Sequence, residues 1–332
     1  MQLETVGVIG AGAWGTALAQ TLRAAGREVV LWAFEPETIV EINDHHTNRV
    51  FLANVALDAD IRATGSLADI AAADFVVMVP PAQHMRRIAG ELAAAGLQQG
   101  TPVVVCSKGL EQATGRLMGD VLAEALPAAQ LAILSGPSFA AEVARGMPAA
   151  VTLACKDEVI GKRLAEAIGY RNFRIYWSDD VLGAQLGGAV KNVLAIAAGI
   201  VDGKGLGASA HAALVTRGFA ELRRLGETLG ARPETLMGLS GLGDLLLTCG
   251  SPQSRNMSLG RALGQGQDLA TILGNRRSVA EGVYTANAVA RVAHERALEL
   301  PICAAVHAIV SGKVSVDAAI DALLSRPFRA ED

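Results

Sequence analysis

The sequence predicts a mostly parallel, doubly wound α/β domain over 1–185, followed by an all-α domain over 186–332. Three observations carry this prediction. Short apolar runs alternate with helical patterns through the first half, those runs are almost unbroken by polar residues, and strand-like runs give out near residue 180. Alternation of this kind means parallel strands joined by crossover helices, and continuous apolar strands mean a sheet covered on both faces. At 332 residues the chain also exceeds what one hydrophobic core normally serves.

The elements follow in order. VGVIG (6–10) reads as the first strand, and TALAQTLRAAG (16–26) as a helix with apolar residues at helical spacing and a closing glycine. EVVLWA (28–33), DFVVMVP (74–80), TPVVVCS (101–107), AQLAILS (129–135) and AAVTLAC (149–155) are the further strands. LGGAVKNVLAIAAG (186–199) is small and apolar except for Lys191, the pattern of a helix meant for burial. AALVTRGFAELRRLGETLG (212–230) and SVAEGVYTANAVARVAHERAL (278–298) repeat with helical period. The domain boundary falls near 181–190, so Lys191 is expected where a cleft between the domains would lie.

Composition excludes several classes. The net charge is −4 and the Lys and Arg residues are scattered, which argues against a nucleic-acid partner, since that needs a basic stripe. Cys106, Cys155, Cys249 and Cys303 are far apart with no CxxC pair, so neither a zinc site nor a disulfide framework is expected, and a reducing compartment fits. His45 and His46 lack spaced partners, so no metal site is expected. The start MQLETVGVIGAG has no basic n-region, and the uncharged run 125–141 is too short to span a bilayer. The expectation is a cytoplasmic protein without stable membrane insertion. No Gly-x-Ser-x-Gly elbow is present, which removes the commonest hydrolases.

The chemistry-bearing motifs begin at Gly10-Ala11-Gly12-Ala13-Trp14-Gly15, between the first strand and the first helix. The first glycine permits the tight turn, the second lets backbone approach a pyrophosphate, and the third packs helix on strand with its N–H groups aimed at phosphate. At the end of the second strand comes Phe34-Glu35. Glu35 suits the ribose hydroxyls of NAD and repels a 2′-phosphate, or it is a solvated residue before Pro36. Lys108 in SKG (107–109), and Gly136 and Ser138 in SGPSFAAE (135–142), end consecutive strands where ligands collect; Ser138 alone would be explained as a helix cap. Asp244 sits among apolar residues in GLGDLLLTCG (241–250) and needs a partner, for which Lys191 is the obvious candidate. Ser254 would cap a helix and leave Arg255 solvated, and Ser278 to Glu281 fits a capping box. Lys191 has two readings: a side chain laid along apolar surface with its charge in water, or a desolvated proton donor in a closed pocket.

Taken together, GAGAWGTALA, SKG, SGPSFAAEVARGMP, LGGAVKNVLAIAAGI, GLGDLLLTC, SRN (254–256) and VAEGV resemble, in order and over nearly the whole chain, the bacterial NAD(P)-dependent sn-glycerol-3-phosphate dehydrogenases. The resemblance implies a Rossmann domain followed by an all-α domain, NAD or NADP as cofactor, and dihydroxyacetone phosphate, a phosphorylated three-carbon compound, as substrate. It also implies a role in glycerophospholipid biosynthesis and leaves room for a homodimer. Lys191 would be the proton donor and acceptor, with Asp244 orienting it. Lys108, Gly136, Ser138, Lys191, Asp244, Ser254, Arg255 and Asn256 match substrate-binding positions. Gly10, Gly12, Ala13, Trp14, Gly15, Glu35, Phe51, Lys108, Ala140, Arg255, Val279 and Glu281 are the positions expected at the dinucleotide. Phe34 stands where family members often carry a base suited to NADPH, and the loop at 48–57 lacks their usual prolines. Two other readings remain: a β-hydroxyacid dehydrogenase, which spaces its lysine–asparagine pair more widely, and a dinucleotide sensor, which needs no proton chemistry.

Overall fold

A computed structural model of the chain describes residues 3–274, 280–328 and 330. Eight strands form one sheet: β1 (Thr5–Ile9), β2 (Glu28–Trp32), β3 (Arg62–Thr64), β4 (Phe75–Met78), β5 (Pro102–Val105), β6 (Gln130–Ser135), β7 (Ala149–Ala154) and β8 (Phe173–Ser178). Their order is β3-β2-β1-β4-β5-β6-β7-β8. The first six are parallel and follow the 3-2-1-4-5-6 order of a dinucleotide-binding sheet, with the switch point between β1 and β4.

Alternate residues along the central strands serve the two faces. Val6, Val8, Phe75, Val77 and Val104 pack with the helix Ala13–Ala24 and the helix Glu158–Ile168 on one side. Ile9, Val76, Met78, Val103 and Val105 pack with the helices Met85–Ala94 and Met118–Ala125 on the other. Both faces are therefore dry, as the unbroken apolar runs require.

The expected parallel pairing stops at β6. β7 pairs with it antiparallel, Ile133 opposite Ala154 and Ser135 opposite Thr152, and β8 then runs parallel to β7. The 136–148 connection carries only the short helix Ala140–Ala144 and returns along the same edge instead of crossing the sheet. As a result β8 ends at the amino edge of the first six strands, and the chain must climb back.

It does so in the helix Val181–Gly203, started by Asp180, whose carboxylate accepts the Gly183 N–H at 2.9 Å and the Arg232 N–H at 2.9 Å. This helix runs unbroken through residues 185 and 186. Ala184 packs with Ile133 and Ala154 of the sheet core, whereas Gly188, one turn on, lies against Ser135 at the end of β6. Beyond that point it is the axis of a helical core with Leu222, Leu225, Leu259, Leu263, Val289 and Val306. Among the described residues it alone is long and apolar enough to cross a membrane, and its apolar window is wholly buried in the protein. The four cysteines are buried and free.

Candidate active site

The turn after β1 is built as its glycines require. A Cβ at Gly15 would lie 1.8 Å from the Gly10 carbonyl oxygen, so the helix Ala13–Ala24 rests directly on the turn. Gly12 faces open space, with nothing within 4 Å of where its Cβ would be. Gly12 caps this helix without any side-chain acceptor, so the first N–H groups are left for a ligand. An open cradle lined by uncapped amides fits a pyrophosphate. The Trp14 ring, partly exposed, packs at 6.4 Å, tilted, on Phe173 of β8. Ala140 packs against the same core cluster.

Phe34 and Glu35 follow β2 and are exposed, Phe34 at 69%. The Phe34 ring stands 6.4 Å from Trp32, and the backbone of Glu35 starts the helix Pro36–His45. Phe51 is half-buried on the next loop. Glu281 opens the helix Glu281–Glu295 and reaches the sheet half, its Oε1 accepting the Ala82 N–H at 3.0 Å. Burial pushes its carboxyl upward, opposed by the Ala82 N–H and the charge of Arg255. Val279 and Ser278 lie outside the described residues.

The chemistry concentrates around Asp244, the first residue of the helix Asp244–Cys249 and only 1% exposed. Two lysines share its carboxylate. Lys108, from the loop after β5, donates to Oδ2 at 2.6 Å and to the Gly136 carbonyl at 3.3 Å. Lys191 donates to Oδ1 and, at 2.9 Å, to the Thr248 hydroxyl. Thr248 in turn donates to the Asp244 backbone carbonyl at 2.6 Å. Burial lowers the Lys191 pKa to about 7; Asp244 opposes that shift and the Lys108 charge adds to it. Lys191 is buried, 7% exposed, and its charge is held by protein partners and not sent out to water.

Gly136 has φ +155°, and a Cβ there would sit 2.8 Å from Val151 Cα, so no other residue fits between β6 and β7. Ser138 is not a helix cap. The helix begins two residues later, capped by Phe139, and the Ser138 hydroxyl donates to the Gly136 carbonyl at 3.1 Å. Ser254 does cap, its hydroxyl accepting the Met257 N–H at 3.2 Å, and so presents Arg255 on the first turn of the helix Arg255–Gly264. The Asn256 amide is engaged within the protein, donating to Asn192 Oδ1 at 2.9 Å and accepting the Gly282 N–H at 3.0 Å. Sequence reasoning missed Thr248, although its four-residue spacing from Asp244 places both on one helix face.

An open cradle of uncapped amides at the switch point of a doubly wound sheet, together with a buried lysine–aspartate pair in the same chain, is the arrangement of a nicotinamide-nucleotide-dependent oxidoreductase. Comparison narrows the class. The family model described as NAD-dependent glycerol-3-phosphate dehydrogenase N-terminus matches residues 5–160, and that of the C-terminus matches 180–321. A glycerol-3-phosphate dehydrogenase [NAD(P)+] of Parvibaculum lavamentivorans is 61% identical over 98% of both chains. Another of the same name, from Caulobacter vibrioides, is 60% identical over 100% of both. The crystal structure of glycerol-3-phosphate dehydrogenase from Coxiella burnetii superposes with a TM-score of 0.93 at 37% identity, covering 97% of this chain and 99% of that one. The chain belongs to the NAD-dependent glycerol-3-phosphate dehydrogenase family.

Proposed function

We propose that this protein interconverts dihydroxyacetone phosphate and sn-glycerol 3-phosphate with NAD or NADP, and that Lys191 is its general acid and base. The observation that carries the reading is the buried Lys191 ammonium held between Asp244 and Thr248, with a pKa lowered to about 7. The bound nicotinamide supplies the hydride in one direction and takes it in the other.

The residues do the rest. Charged Lys191 polarises the ketone oxygen and gives it a proton; neutral Lys191 takes that proton from the alcohol. Asp244 holds the lysine in place and, with Thr248, leaves its remaining N–H for substrate. Because Lys191 is buried, its charge acts more strongly on a developing alkoxide than it would in bulk water. Arg255, with the backbone of the helix start behind it, offers the phosphate a charge-assisted fork. In this reading the helical half carries the substrate, and the product supplies glycerophospholipid synthesis in the cytoplasm.

Steady-state reduction of dihydroxyacetone phosphate with NADH and NADPH tests the proposal. Turnover with either supports it; none with both would end it. Arg255→Ala should mainly raise KM for the phosphorylated substrate, by about tenfold or more, as loss of a charged hydrogen-bonding partner does.

A further inference from the structure

The phosphate turn is held from behind by a residue that no motif includes. Asn48 is 1% exposed and lies 32 residues beyond Thr16 in the chain, yet its side chain reaches under the turn. Its amide donates both hydrogens, to the Ala11 carbonyl at 2.8 Å and to Thr16 Oγ1 at 2.9 Å. Thr16 donates its own hydrogen to the same Ala11 carbonyl at 3.2 Å. On the other side, Asn48 Oδ1 accepts the Phe51 N–H at 3.3 Å, and the Asn48 backbone carbonyl accepts the Leu52 N–H at 2.7 Å. With both amide hydrogens donated inward, Asn48 can act only through the loop it holds.

The consequence follows from peptide geometry. In a planar trans peptide the C=O and the next N–H point in opposite directions. Two donors draw the Ala11 carbonyl inward, so the Gly12 N–H is turned outward, toward the space that Gly12 leaves open. Without them the peptide could flip, since glycine at 12 imposes little restraint. A carbonyl oxygen would then face the incoming phosphate in place of an N–H.

We infer that Asn48, acting with Thr16, is a positioning residue for the cofactor's pyrophosphate. It locks the Ala11–Gly12 peptide in the anion-binding orientation and ties that turn to the loop carrying Phe51. The inference rests on the reading of the cradle as an NAD(P) site.

Calorimetric titration with NADH and with ADP-ribose, which keeps the pyrophosphate and lacks the nicotinamide, tests it alongside melting temperatures. Asn48→Ala and Thr16→Val should each raise Kd for both nucleotides about five- to tenfold, the loss expected for a broken buried hydrogen bond. Thr16→Ser, which keeps the hydroxyl, should retain wild-type affinity. KM for NADH should rise by more than kcat falls. Thr16→Val keeps the shape of the side chain and carries the test should Asn48→Ala not fold. Unchanged Kd in the folded variants, with only a lower melting temperature, would overturn the inference and leave Asn48 a structural residue. Equal loss in Thr16→Ser and Thr16→Val would overturn it too. Wild-type protein that bound neither nucleotide would instead overturn the cofactor reading beneath it.

Discussion

Lys191 shows how burial sets a working protonation state. Its ordinary value of 10.5 falls to about 7 because desolvation outweighs the neighbouring carboxylate. The sign is then fixed. Ketone reduction needs the ammonium form, so kcat/KM for reduction should fall as pH rises through about 7, while that for alcohol oxidation should rise through the same value. Profiles taken in both directions check this, and Lys191→Ala should abolish the shared ionisation and cost about 10²- to 10⁴-fold in turnover. Phe34 makes a separate prediction. It is exposed beside Glu35 just after β2, where an acidic side chain at the ribose would repel a 2′-phosphate. NADH should be preferred over NADPH, and Phe34→Arg should raise kcat/KM for NADPH by about tenfold, roughly one added charge-assisted hydrogen bond. Comparing the two cofactors with wild type and variant decides it. Most of these residues could be read from the sequence, because a lone lysine in an apolar helix and an aspartate among leucines each demand a partner. Asn48 could not: its partners are set by the fold, and nothing near it in the chain marks it.

The helices Val181–Gly203 and Arg255–Gly264 cross almost backbone to backbone. A Cβ at Gly199 would lie 2.0 Å from the Met257 carbonyl oxygen, and one at Gly260 2.0 Å from that of Ile196. This contact sets the distance between Lys191 on one helix and Arg255 on the other. Gly199→Ala must push them apart. We expect a loss of about 1–3 kcal/mol of stability, as overpacking costs, with a rise in KM for the phosphorylated substrate; thermal melts and kinetics measure each. Six of the eight strands were evident in the sequence as apolar runs. β3 escaped because only three residues pair, Arg62–Thr64, with one apolar side chain among them. β8 escaped because FRIYWS alternates polar with apolar, unlike the buried runs before it. The reversal at β7 was hidden for a different reason: an apolar run such as AAVTLAC reads the same whichever way it lies.

Among the polar contacts that join the sheet half to the helical half, Lys108 to Asp244 and Ala82 to Glu281 lie at the site itself, while Arg232 with Asp179 and Asp180, and Gln253 with Glu142, lie away from it. Asp244 therefore serves the assembly as well as the chemistry, being the carboxylate between two cations, one from each half. Asp244→Ala would leave Lys108 and Lys191 facing each other. Removing Asp244 takes away what holds the Lys191 charge. The melting temperature should therefore fall well below wild type at pH 6, where wild-type Lys191 is charged, and less so at pH 9, where Lys191 is neutral with or without the carboxylate. Equal losses at the two pH values would contradict this. The reversed strand pair has its own bearing on which sequence changes the protein can absorb. It returns the chain to the far edge of the sheet, from which Val181–Gly203 rises beside β6 and delivers Lys191, ten residues into its climb. At 1.5 Å a residue that climb is about 15 Å, and each added residue would turn the lysine by about 100°. One residue inserted or deleted between 181 and 191 would aim the ammonium group away from Asp244, while the surface turn near 265–268 would absorb the same change. Length along this helix is as much a part of the active site as the residues on it.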